Sequence, residues 1–458
     1  MSELAYKRTN VYEKADEKLL KAIFDYVEGY KVFLDEGKTE REACAWAKAE
    51  AIKMGYKPFR FGQKLQKGDK VYYENRGKNL YLIKVGTNDA AQEGIRIVAS
   101  HIDSPRIDLK QVPLYEAENI AFAKTHYYGG IRKYQWTTVP LALHGAVALK
   151  DGSVINVKIG EDETDPVFYI SDLLPHLAAK QNAKTLGEAI EGEGLNIWFG
   201  NMPYTAADND KDKTVKENVL KILHDKYGMV EADFLSAELS LVPAYKAKDI
   251  GLDRALIGAY GHDDRVCSYP AFTALFDVEN DERTVMVVLA DKEEIGSEGT
   301  TGMQCAIFTD LIDEIARAFN TTSAAIRASS KCLSADVNAA YDPNFAEVLE
   351  KQNATYLSCG AGVTKFTGAR GKSGSSDADA EYVAFLRKLF DDNGVVWQTG
   401  ELGKVDVGGG GTVAKFIAKM NIDTIDIGVG VVSMHAPYEV VSKADVYETY
   451  LAFKAFMK

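Results

Sequence analysis

The residues of this sequence that could do chemistry fall into five short clusters: His101-Ile102-Asp103, His262-Asp263-Asp264-Arg265, Glu293-Glu294, Asp336 and His435. Neutral imidazoles and carboxylates are the donors that zinc and similar divalent cations take. Two such cations, ~3.5–4 Å apart, can share one carboxylate while each adds a histidine and a further carboxylate. A water held between them is acidified, and a neighbouring carboxylate can take its proton. The chemistry expected of this set is metal-assisted hydrolysis.

Each cluster alone has an ordinary structural reading. His-x-Asp on a strand places both side chains on one face, since the strand period is two, and Asp103 could then hold the second ring nitrogen of His101; an isolated pair of this kind is more often structural. Glu293-Glu294 could be a solvated turn, because adjacent carboxylates repel unless a cation or proton neutralises them. Asp263-Asp264 could be a helix N-terminus, Asp336 a helix cap, and His435 a buried hydrogen-bonded residue. Only the joint pattern carries information.

Position strengthens it. Ile95 to Ala99 is an apolar run leading into His101; Val285 to Ala290 leads into Asp291-Lys292-Glu293-Glu294; Cys332 to Ala335 leads into Asp336; Ile425 to Val432 ends just before His435. Helical spacing recurs over 14–54, 305–318 and 378–391. Alternating helices and strands predict an α/β fold with a mostly parallel central sheet flanked by helices, and in such sheets ligands collect at the carboxyl ends of strands. Between about 107 and 250 the pattern changes to antiparallel β, with strands near 137–149 and 154–159 around a turn at Asp151-Gly152-Ser153. The stretch 206–217, rich in Asp and Lys, is expected to be an exposed loop. The expected organisation is one catalytic domain from 1–106 and 251–458, with an inserted β-rich domain at 107–250.

A chain of 458 residues exceeds what one core serves, and 46% apolar with 26% charged residues is the composition of a folded protein. The net charge of −13 excludes nucleic acid as the main partner. Five cysteines without a Cys-x-x-Cys spacing fit neither a disulfide framework nor a structural zinc knuckle. No apolar run has the length of a signal peptide or a membrane span, so a cytoplasmic protein without membrane contact is expected.

Ser-His-Ile-Asp-Ser-Pro at 100–105, Asp-Asp-Arg at 263–265, Asp-Lys-Glu-Glu-Ile-Gly-Ser at 291–297, Ser-Ala-Asp-Val-Asn at 334–338 and Ser-Met-His-Ala-Pro-Tyr-Glu at 433–439 together resemble the aspartyl aminopeptidase family of co-catalytic metallopeptidases. The resemblance implies two divalent ions per subunit, with zinc, cobalt or manganese as candidates. It implies Asp263 as bridging carboxylate, His101 and Asp336 on one ion, Glu294 and His435 on the other, Glu293 as general base and Asp103 in support. It also implies peptide substrates with free N-termini, a dimerisation or lid role for the insert, and a homo-oligomer, a dodecamer built from dimers. His176 and His262 are weaker candidates for substrate contact. His262 stands where relatives commonly have an apolar residue, and the segments 371–376 and 408–411 differ from the animal enzymes, which leaves the preferred N-terminal residue open.

Rival readings are fewer. Gly-Lys-Ser at 371–373 lacks the glycine a phosphate loop needs five residues earlier, where Phe366 stands. The glycines 408–411 lack a following acidic ribose partner. A metal-dependent deacylase would share the site chemistry, and a catalytically silent scaffold would lack a ligand or base, yet all are present.

Overall fold

The computed structural model describes residues 4–204, 214–279 and 281–458. By its internal contacts the chain divides into a larger unit, 1–104, 247–434 and 439–458, and a smaller one, 105–246 with 435–438.

In the larger unit the central sheet has nine strands: β1 (Lys57–Pro58), β2 (Lys70–Asn75), β3 (Asn79–Lys84), β4 (Arg96–His101), β5 (Val285–Ala290), β6 (Lys331–Ala335), β7 (Ala361–Thr364), β8 (Trp397–Thr399) and β9 (Asp423–Gly428), in the order β1-β2-β3-β5-β4-β6-β9-β7-β8. The four strands β5, β4, β6 and β9 run parallel. On either side the direction reverses, β3 against β5 and β7 against β9. The expected mostly parallel sheet is therefore a mixed one. The short turn between Asn75 and Asn79 forces β2 and β3 to be antiparallel, since parallel neighbours need a long crossover. A second sheet of five short strands joins 248–250, 256–259, 439–442, 430–432 and 338–339. The apolar run 425–432 is thus split, its first part in the central sheet and its last three residues in the second.

The central strands are rich in apolar residues because both faces are covered, and β5, Val-Met-Val-Val-Leu-Ala, is apolar at every position. On β5, Val285, Val287 and Leu289 enter one core while Met286, Val288 and Ala290 enter the other. Helices α1 (Glu17–Glu36), α2 (Glu40–Lys53), α3 (His262–Phe276), α5 (Ala380–Asp392) and α6 (Lys443–Met457) contribute to the first core, and α4 (Ile307–Ala318) to the second. Asp16 caps α1 by accepting the Leu19 N–H, and Ile23, Val27, Tyr30, Phe33 and Leu34 form its buried stripe. Thr39 and Glu42 make a reciprocal cap on α2.

The smaller unit holds a six-stranded sheet, all antiparallel, in the order 154–159, 141–148, 237–243, 106–117, 120–128 and 197–200. The turn at 151–153 is closed by Asp151 accepting the Ser153 N–H. Most of the loop expected at 206–217 lies outside the described residues; Thr214 caps the helix Val215–Tyr227. The five cysteines are all free, and no helix among the described residues is long and apolar enough to cross a membrane.

Glu448 on α6 is a buried carboxyl of the larger unit. It accepts the Val396 N–H at 2.8 Å, and burial raises its pKa to about 7. The folded chain then holds the proton more tightly than the unfolded one, whose glutamate titrates near the ordinary 4.5. Stability falls as pH rises between those values. Glu448→Gln is expected to stabilise the protein at pH 8 by up to about 3 kcal/mol and to leave it unchanged near pH 4, read as urea midpoints at the two pH values.

Candidate metal centre

Strand order explains why distant residues meet. β4 lies between β5 and β6, all three parallel, with Ala290 paired to His101. The carboxyl ends of three adjacent strands therefore deliver His101, the turn 293–295 and Asp336 to one edge. Lys292 takes a left-handed φ of 66°, which turns the chain sharply between Asp291 and Glu293. Asp263 and Asp264 open α3, which packs on β4 within the same unit.

Donor atoms of His101, Glu293 and Asp336 lie within 4.8 Å of one another, as do those of His101, Asp263 and Glu294. His101 Nε2 is 3.2 Å from an Asp263 carboxylate oxygen and 4.0 Å from one of Asp336. Its other ring nitrogen, Nδ1, faces Asp103 Oδ1 at 3.2 Å. Asp103 is fully buried and accepts two further bonds, from the backbone N–H of Glu293 and of Glu294, both at 3.2 Å. One carboxylate thereby sets the imidazole and the Glu-Glu turn together.

The electrostatics are those of several carboxylates crowded around one buried imidazole. Burial pushes the carboxyls of Asp264 and Asp336 well above the usual range; the charge of Asp264 pushes Asp336 further, while that of His101 opposes the shift in both. Burial opposes protonation of His101, but Asp103 and Asp263 hold its pKa well above the ordinary imidazole value. Carboxylates crowded in this way repel one another, and divalent cations would offset that charge. One imidazole with four carboxylates at this spacing fits a divalent metal by the chemistry of its donors.

His262 is wholly buried, its Nδ1 at 2.7 Å from the Tyr30 hydroxyl and its Nε2 at 3.2 Å from the Ile257 carbonyl. Desolvation lowers its pKa to about 3, so it is neutral, with both nitrogens engaged inside the core. That geometry leaves no ring nitrogen for the substrate contact expected of it. His176 is exposed on a short turn of the smaller unit, in Pro175–Leu177. His435 is counted with the smaller unit, where its Nδ1 meets the Gly130 carbonyl at 2.8 Å.

Two residues that the sequence reading left without a role bracket Asp263. Its backbone N–H points to Glu439 Oε2 at 3.3 Å, and its carbonyl accepts from Ser104 Oγ at 2.5 Å. Both lie within the motifs at 100–105 and 433–439, but nothing short of the fold brings 104, 263 and 439 together. Gly261 must be glycine here: its φ is 78°, and a Cβ would sit 1.8 Å from Arg265 Nη1. Gly428 is as constrained, since a Cβ would lie 1.9 Å from the Asp336 carbonyl oxygen.

Buried carboxylates and an imidazole gathered at strand ends of an α/β sheet define a metal-dependent hydrolase. Residues 33–457 match the family model described as aminopeptidase I zinc metalloprotease (M18). A probable M18 family aminopeptidase 1 of Clostridium acetobutylicum is 46% identical over 464 residues, covering 100% of this chain and 99% of the relative. The crystal structure of the M18 aminopeptidase of Thermotoga maritima superposes with a TM-score of 0.94 at 40% identity, covering 99% of this chain and 100% of that one. A more distant structure, the mApe1 dodecamer of Saccharomyces cerevisiae, shares the fold at 22% identity with a TM-score of 0.76, over 96% of this chain and 97% of that one. The chain belongs to the M18 family and is a metal-dependent aminopeptidase, a hydrolase of peptide bonds.

Because Glu439 and Ser104 hold the Asp263 peptide from both sides, Glu439→Ala and Ser104→Ala are each expected to weaken zinc binding about tenfold or more, measured by competition with a chromophoric chelator, while circular dichroism stays that of the parent.

Proposed function

We propose that this aminopeptidase works through a two-ion centre in which Asp263 bridges, His101 and Asp336 complete one site, and Glu294 and His435 the other. The observation that carries the reading is the convergence of His101 with two carboxylate pairs, each set within 4.8 Å. For His435 the support is its motif and its tautomer: a carbonyl can only accept, so Nδ1 donates to Gly130 and Nε2 keeps the lone pair. Zinc is the ion that the family description favours; cobalt and manganese suit the same donors.

Bound ions would supply Lewis acidity to the scissile carbonyl and acidify the attacking water. Glu293 accepts the proton of that water and passes it to the leaving amine. Asp103 holds the Glu293 backbone and the His101 ring in place for this, and its burial keeps both hydrogen bonds away from competing solvent. Attachment through a free α-amino group restricts cleavage to the N-terminal residue of a peptide substrate.

The smaller unit would serve as a dimerisation or lid region. Leu173, Leu174 and Leu177 on it are 50%, 51% and 67% exposed, an apolar stretch suited to burial against another subunit. A homo-oligomer, with the yeast dodecamer as its pattern, follows from the same reading. The free, mostly buried cysteines suit a reducing compartment such as the cytoplasm.

Chelator-stripped protein is expected to lose hydrolysis of free-amine aminoacyl substrates and regain it with zinc, manganese or cobalt. Glu293→Gln should keep the metal content and lower kcat by about 10²–10⁴. Turnover of N-acylated substrates in preference to free amines would instead identify a deacylase.

A further inference from the structure

The turn that carries Glu293 and Glu294 is held twice. Asp103 accepts its backbone N–H groups. A second hold comes from a loop that closes on itself between Asp291 and Thr301. Asp291 directly follows β5, and its Oδ2 accepts from Thr301 Oγ1 at 2.5 Å while its N–H points to the Thr301 carbonyl at 3.4 Å. The Lys292 ammonium lies 3.4 Å from the same carboxylate oxygen. Asp291 and Thr301 are 1% and 2% exposed, whereas Glu293 and Glu294 are half-buried and Ile295 is exposed. A buried clasp therefore closes a loop whose middle faces solvent.

The clasp is itself tied to the sheet. Asn79, the buried first residue of β3, donates through Nδ2 to the Thr301 carbonyl at 2.7 Å, and Asn75, the last of β2, donates to the Thr300 carbonyl at 2.7 Å. Inside the loop the Ser297 N–H donates to the Lys292 carbonyl at 2.7 Å, and the Gln304 N–H to the Ser297 carbonyl at 3.0 Å. A continuous set of bonds thus runs from the hairpin β2–β3 through Thr301 to Asp291, two residues before Glu293. Burial, and then the charges of Glu40 and Asp103, push the Asp291 pKa up. Its carboxylate stands there against a desolvation cost, which the Thr301 hydroxyl and the Lys292 ammonium offset.

We propose that Asp291 is a positioning residue for peptide hydrolysis: by clasping Thr301 it fixes the backbone from which Glu293 reaches the attacking water, which rests on Glu293 being the general base. Asp291 exchanges no proton with substrate or water. It acts through the turn, because a base must lie within roughly 2.6–3.2 Å of the proton it takes and an error of about 1 Å costs on the order of 10²-fold in rate.

The test is steady-state kinetics on a free-amine aminoacyl substrate with the zinc-loaded variants Thr301→Val, Thr301→Ser, Asp291→Ala, D291A/T301V and Glu293→Gln. Valine keeps the shape of threonine but cannot donate, so Thr301→Val should lower kcat about 10- to 100-fold with KM and zinc content unchanged. Serine restores the hydroxyl and should restore most of kcat. Asp291→Ala should lose as much as Thr301→Val, and the double variant no more than the worse single one, since all three break one contact. Should Asp291→Ala fail to fold, the two Thr301 variants decide alone. Parental kcat in Thr301→Val, a loss that serine does not recover, or a loss seen in KM or zinc content in place of kcat overturns the proposal. Parental kcat in Glu293→Gln would overturn the base assignment itself, whereas an inactive Glu293→Gln beside a fully active Thr301→Val overturns the clasp alone.

Discussion

The site depends on one buried carboxylate. Asp103 accepts from the His101 ring and from two consecutive backbone N–H groups, those of Glu293 and Glu294. With no water to compete, these bonds are strong and their loss is expensive. They join the end of β4 to the turn after β5, so that the imidazole and the two glutamates cannot shift independently. A centre assembled from separate loops would tolerate errors of an ångström; here the second rank of contacts removes that freedom.

The same economy governs Asp263. Side chains reach a metal only as well as their backbone is held, and this backbone is held at its N–H by Glu439 and at its carbonyl by Ser104. The negative charge gathered around His101 is tolerable in a buried place only with protons or cations present. Fold and cofactor are therefore coupled: the elements that bring the carboxylates together do so against their repulsion, and an ion returns that energy on binding.

Much of this was legible in the sequence because the central strands are buried on both faces. Such strands read as short runs rich in apolar residues, so the junctions at His101, Glu293 and Asp336 stood out at strand ends. Helical spacing over 14–54 was equally plain, while its division into helices at 17–36 and 40–53 came only with the fold. Sheet direction was not: a parallel and an antiparallel strand bury the same apolar residues, and only the shortness of the Asn75–Asn79 turn betrays the reversal. Nor was His262. Its neighbour Asp263 suggested a role in the site, whereas its environment is set by Tyr30 and Ile257, one of which lies far away in the chain. Glu439 and Ser104 act through backbone atoms of another segment, and residue type carries no record of that.

The placement of β4 between β5 and β6 has a consequence for how the protein is made. β4 ends at His101, but its two neighbours begin only at Val285 and Lys331. During synthesis His101 leaves the ribosome long before the strands that flank it, and the donor set gathered around it is complete only after Asp336 has followed. A nascent chain consequently has no hydrolytic centre with which to attack its neighbours. Metal capture becomes a late event in biogenesis, open to a chain whose long-range strand pairing is already complete.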